Sequence, residues 1–135
     1  PAPLVPLLEP PANLPPLLSL DGGYHHLCGL DANGHAHCWG NASHGQTDIP
    51  DFLDSLSLRS IRAGGWHSCA LDSDGLSHCW GLDQDGQSSA APGWNFVAIA
   101  TGSEHSCGMK SDGAVECWGR DREDQTAAPL PWEWE

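Results

Sequence analysis

One hundred and thirty-five residues set a ceiling of one ordinary domain, and five Lys+Arg against eighteen Asp+Glu leave a formal charge of −13 at pH 7. That balance excludes nucleic acid as an expected partner, because a phosphate-reading surface needs a basic stripe to displace counterions. Sixteen Gly, eleven Pro and seven Trp beside one Met, one Tyr and two Phe form a turn-rich composition that argues against long amphipathic helices, and no run is apolar for long enough to insert in a membrane.

The chain opens on a proline-rich arm, residues 1–16, which holds seven of the eleven prolines. Proline cannot donate to a hydrogen-bond ladder, so the arm is expected to be extended and polyproline-like. Its other positions are mostly aliphatic, among them Leu4, Val5, Leu7, Leu8 and Leu14, which suits docking on a neighbouring surface better than a solvated linker. The first residue is Pro1 and not Met, from which a processed chain is expected.

Leu17-Leu-Ser-Leu20 reads as a strand, and it leads into Gly23-Tyr-His-His-Leu-Cys28, the turn Ala32-Asn33-Gly34, and Cys38-Trp39-Gly40. The same unit returns twice. After Leu58-Arg-Ser-Ile-Arg-Ala63 come Gly64-Gly-Trp-His-Ser-Cys69, Ser73-Asp74-Gly75 and Cys79-Trp80-Gly81. After Phe96-Val-Ala-Ile-Ala-Thr101 come Gly102-Ser-Glu-His-Ser-Cys107, Ser111-Asp112-Gly113 and Cys117-Trp118-Gly119. Each copy runs on to a Gln (Gln46, Gln87, Gln125) and then a Pro (Pro50, Pro92, Pro129). The expected divisions are 17–50, 51–92 and 93–129, followed by a strand at 130–135 in which Trp132 and Trp134 share one face.

The turn fixes the hairpin. Setting Cys69 opposite Cys79 pairs Ala70 with His78 and Leu71 with Ser77, and leaves Ser73-Asp74-Gly75 as a three-residue loop closed by a left-handed glycine. Opposed residues on antiparallel strands lie about 4.5 to 5.5 Å apart, within reach of a disulfide. The pairs Cys28/Cys38, Cys69/Cys79 and Cys107/Cys117 are therefore expected as cross-strand staples, each with nine residues inside it. Zinc ligands come two to four residues apart as a rule, and no such cysteine pair exists here. Six paired cysteines in a short chain place the protein in an oxidising compartment, secreted or extracellular.

An inner strand, two hairpin strands and a short fourth strand near the Gln and Pro make four antiparallel strands per unit, the pattern of a propeller blade. The string His-Ser-Cys-Ala-Leu-x-x-Asp-Gly-x-x-x-Cys-Trp-Gly, followed by Gly-Gln, resembles the repeat of the regulator of chromosome condensation (RCC1-like) family. It is especially similar to that family's bacterial, extracellular branch. The resemblance covers residues 17–129 and implies an all-β fold, a partial, three-blade β-propeller of four-stranded antiparallel blades behind the N-terminal arm. It implies two activities, nucleotide exchange on a small GTPase with chromatin binding, and inhibition of a beta-lactamase. The acidic charge and the expected disulfides conflict with the first.

Three blades leave two unpaired edges and two open faces. An apolar arm at one end and an unpartnered strand at the other suggest copies of the chain associating head to tail, in a filament if the contact does not close, with Leu4, Val5, Leu7, Leu8, Leu14, Trp132 and Trp134 as assembly residues. The alternative is a monomeric or closed module that binds a protein or a glycan. No catalytic set, phosphate loop or cofactor motif is present, so no enzyme activity and no cofactor are expected. His26, His67 and His105 recur two residues before a Cys and read as framework groups between blades. A metal site from His35, His37 and His78 is outweighed by their reading as surface strand residues, and the Asp/Asn-Gly turns lack the ligand spacing of calcium loops. Trp39, Trp80 and Trp118 read as blade core, and the less regular Trp66 and Trp94 as candidates for ligand contact. Asn41-Ala-Ser43 is an acceptor pattern for N-glycosylation.

Overall fold

A computed structural model describes residues 9–82 and 95–119. Among the described residues, nine strands form three antiparallel sheets in chain order. The first holds β1 (Leu17–Gly22), β2 (His26–Asp31) and β3 (Ala36–Gly40). The second holds β4 (Leu58–Ala63), β5 (His67–Asp72) and β6 (Ser77–Gly81), and the third β7 (Ala98–Thr101), β8 (His105–Met109) and β9 (Val115–Gly119). The fold is an all-β partial propeller.

Each sheet follows from its turn. Gly34, Gly75 and Gly113 have φ of 77°, 87° and 89°, the left-handed conformation that closes a three-residue hairpin loop. The registers that result set Cys28 opposite Cys38, Cys69 opposite Cys79 and Cys107 opposite Cys117. All three pairs are disulfide-bonded, with Cα atoms 4.1, 4.0 and 4.0 Å apart, slightly closer than the expected spacing.

Two expectations are corrected. The fourth strand is absent from the first unit, where residues 41–50 form turns and Asp51–Ser55 a 3-10 helix that sends Leu53 into the core. Gly45, at φ 76°, turns the chain beside Gln46, and Gln46 is wholly buried with its carbonyl turned to the next blade, so no ladder forms. The corresponding segments at Gln87 and Gln125 lie outside the described residues. In the arm, Leu14 N–H donates to Pro11 C=O, so a turn at Ala12-Asn13 breaks the extended run, as an asparagine in a turn position favours. Leu14 is half-buried, while Leu4, Val5, Leu7, Leu8, Trp132 and Trp134 lie outside the described residues.

Successive sheets stack face to face, β4 against β1 and β2, and β7 against β4 and β5. Side chains alternate along each strand, so one face of every blade looks back and the other forward. The first interface gathers Cys28 and Leu30 with Leu58, Ile61, Ala63, Ala70 and Trp80, and Leu53, Leu56 and Ile49 of the connection seal it. The second sets Cys69 and Leu71 against Phe96, Ile99 and Trp118.

Candidate functional site

Most of the tempting histidines are structural. His26 and Ser68 lie 42 positions apart in sequence, yet His26 Nε2 is 2.8 Å from Ser68 Oγ across the first interface. The hydroxyl of Ser68 donates its proton to the Gln46 carbonyl at 2.8 Å, so it accepts from His26, whose Nε2 carries the hydrogen. Trp80 Nε1–H donates to the same carbonyl at 2.9 Å. Burial is the largest influence on His26 and lowers its pKa, in keeping with a neutral ring. His67 repeats the bond to Ser106 at 2.9 Å across the second interface. His26, Ser68, Gln46 and Trp80 thus form a polar lock across the first interface, and its His–Ser bond recurs across the second.

His37 and His78 are tied down within their own hairpins. Asp31 Oδ1 accepts the amides of Asn33 and His35 at 2.8 and 3.1 Å, and its Oδ2 is 2.8 Å from His37 Nε2. The His37 bond holds the Asp31 carboxyl at about 2, below its ordinary 3.8. Asp72 does the same for Asp74, Leu76 and His78, and although burial pushes its carboxyl up, those three bonds bring it down overall. In the third hairpin the two positions hold Lys110 and Glu116, whose charged atoms lie 3.8 Å apart, so the pair has exchanged its signs. Among the described residues no three His, Cys, Asp or Glu side chains gather as a metal site, and no helix is long and apolar enough to cross a membrane. Trp39 and Trp80 are buried and Trp118 half-buried, as blade-core residues would be, while Trp94 lies outside the described residues. Asn41 is half-buried, with Oδ1 accepting the Ser43 amide at 2.7 Å.

Among the described residues, the outer faces of the first and third blades pack against no further sheet. Leu20, Ile61 and Ile99 occupy equivalent positions, opposite Gly29, Ala70 and Gly108. Ile61 and Ile99 are 3% and 5% exposed inside the interfaces, whereas Leu20 is 58% exposed and Leu18 beside it 76%. At the other end, Ala100 stands where the earlier blades carry Asp21 and Arg62. Asp21 accepts the Ala63 amide of the next blade at 2.8 Å, and Arg62 Nε donates to its Ile99 carbonyl at 3.2 Å. With alanine there, the third blade presents an apolar depression of about 240 Å³ lined by Ala98, Ala100, Met109 and Val115. His105, the third framework histidine, is half-buried beside it, and burial lowers its pKa. One framework position departs from the pattern, since Leu27 stands where the other blades have Ser68 and Ser106.

Residues 58–87 and 96–125 match the regulator of chromosome condensation (RCC1) repeat. No curated protein matches the chain. Among solved structures, the ectodomain of the Physcomitrella patens receptor kinase CR4 is 33% identical, with 77% of this chain and 29% of that one covered at a TM-score of 0.67. The CRINKLY WD40 ectodomain of the Arabidopsis thaliana receptor kinase ACR4 is 28% identical, with coverages of 83% and 43% and a TM-score of 0.68. Prp20p of Saccharomyces cerevisiae, described with its binding properties to Gsp1p and histones, is 19% identical, with coverages of 87% and 35% and a TM-score of 0.69, a likeness of fold alone. This chain spans less than half the length of each of these structures.

Proposed function

Since the chain belongs to the family of regulator of chromosome condensation (RCC1) repeats, we propose that it is a non-enzymatic, protein-binding propeller module that works outside the cytosol and binds through its open blade faces. The three disulfides and the likeness to two receptor-kinase ectodomains support the compartment. The partner is in the first instance a second copy, docked head to tail with the Leu20 face of one chain on the Ala100 face of the next. A filament results if the contact does not close. The observation that carries this reading is the exposure of Leu20, at a position buried in both of the other blades.

Leu27 sets the strength of that contact. Docked on a second copy, His105 would meet Leu27 where His26 and His67 meet serines, so the end-to-end interface lacks the polar lock and is weaker than the internal ones. Leu27→Ser should tighten the association. The same mismatch favours a second reading, a discrete module whose faces receive a different protein or a glycan. Light scattering on the oxidised full chain separates them: mass rising with concentration is expected, and discrete particles that persist at high concentration would sink the filament. A variant lacking residues 1–16 measures the share of the arm, and unchanged assembly would remove the arm from the mechanism.

A further inference from the structure

The loop that follows β3 carries a side chain that the blade framework does not require. Asn41 N–H donates to the His25 carbonyl at 2.8 Å, and in the second blade Leu82 N–H makes the same bond to the Trp66 carbonyl at 2.9 Å. Leucine serves that backbone contact as well as asparagine does, so the contact leaves the Asn41 side chain unexplained. Of the four asparagines in the chain, Asn13, Asn33, Asn41 and Asn95, only Asn41 is followed two residues later by Ser or Thr, with Ala42 and not proline between.

The structure presents this triplet in a form open to modification. Asn41 Oδ1 accepts the Ser43 amide at 2.7 Å, an Asx turn in an exposed setting. An N–H can bond only the oxygen of a carboxamide, so this bond fixes which way the group faces and leaves Nδ2 on its other branch. Among the described residues Asn41 Nδ2 donates no hydrogen bond, and Ala42 and Ser43 are exposed. An aspartate would make the same turn, and what separates the two is the amide nitrogen.

We propose that Asn41 is an N-glycosylation site, modified on Nδ2 by an oligosaccharide carried on a lipid diphosphate. Nδ2 forms a bond to the anomeric carbon of the first sugar, and the bond from that carbon to the diphosphate oxygen breaks. The diphosphate leaves with the bonding electron pair and Nδ2 gives up one proton to solvent, so nothing is oxidised or reduced. A sugar on Nδ2 displaces no bond of the fold, since the loop is seated by Oδ1 and by the backbone N–H. It also stands clear of the first blade's exposed face: His37 lies across the sheet from Leu20 through Gly29, and Asn41 is four residues further along the chain. Donor and transferase belong to a secretory route, so the site rests on the extracellular reading above but not on self-association.

The test secretes the full chain from eukaryotic cells and reads the purified protein by thiol titration, by intact mass, and by digestion with a peptide N-glycosidase in heavy-oxygen water. That digestion turns each modified asparagine into a labelled aspartate. No free thiols, a mass above that of the polypeptide that the glycosidase removes, and a label on Asn41 alone are expected. Asn41→Asp keeps the turn and Ser43→Ala keeps the amide, and each should abolish the mass gain, whereas Ser43→Thr should retain it. A chain with all six cysteines paired and a bare Asn41 would overturn the site and leave the extracellular reading standing, as would a mass gain that survives both disabling variants. Six free thiols in the secreted chain would count against the compartment instead, and the mass and the label would still decide the site.

Discussion

The two interfaces between blades share one polar lock and fill the space around it in different ways. Both set a framework histidine on the serine of the next blade, at 2.8 and 2.9 Å. Around the first, Leu58 lies over a blade that carries Ala70, with Leu53, Leu56 and Ile49 added from the connection. Around the second, Phe96 takes the place of Leu58, and Gly108 takes the place of Ala70. A Cβ on Gly108 would lie 2.5 Å from Phe96 Cδ1, so the larger ring and the missing methyl compensate each other. A directional bond fixes how consecutive blades align, whereas apolar volume can be distributed freely if the total is kept.

The comparison can be broken hardest at its larger partner. Phe96→Ala empties the second interface of a residue only 1% exposed, and should cost about 3 to 5 kcal/mol in urea unfolding. A loss no greater than that of a surface substitution would mean that the ring does not hold the blades together. Gly108→Ala should cost about 1 to 3 kcal/mol by overpacking, and Phe96→Leu in the same chain should recover most of it, because the pair then matches Leu58 and Ala70. Additive losses would refute the exchange of volume. Ser68→Ala leaves the buried His26 Nε2–H without its acceptor and should cost about 1 to 3 kcal/mol, with Ser68→Thr the milder variant.

The smallest effect separates the hairpins by pH. A carboxyl held at about 2 in the fold and ordinarily at 3.8 binds fewer protons folded than unfolded between those values. The stabilisation from the Asp31 bonds is therefore complete above about 4 and is lost as pH falls through about 2. Residue-level hydrogen exchange over that range should loosen the first two hairpins in step with their aspartates, and Asp31→Asn should remove the pH dependence from the first. The third, with Lys110 in that position, should show no such step, and a step there would contradict the assignment.

Much of this was legible because it occurs three times. The Asp/Asn-Gly loops dictated the cysteine register, and the recurrent histidines announced themselves as framework. Their partners did not, since Ser68 stands 42 positions from His26 and only the stacking of sheets brings them together. The exchange of Asp31 and His37 for Lys110 and Glu116 was visible only as two unrelated substitutions until the strand pairing set them side by side. The expected fourth strand failed in the first unit because Gln46 turns its carbonyl to Ser68 and Trp80. A cleft lined by Tyr24, Gly65, Trp66 and Ser103 left no periodic trace, because these are positions at which the copies differ.

Two variants that disable opposite ends of the arc test head-to-tail docking most directly. Leu20→Arg places a charge on the exposed face of the first blade, and Met109→Asp places one in the apolar depression of the third. Each oxidised variant alone should remain monomeric by light scattering at concentrations where the parent chain associates. Mixed, they retain one intact face each, and a one-to-one dimer that grows no further is expected. Either variant assembling alone like the parent, or a mixture that stays monomeric, would contradict docking through these faces.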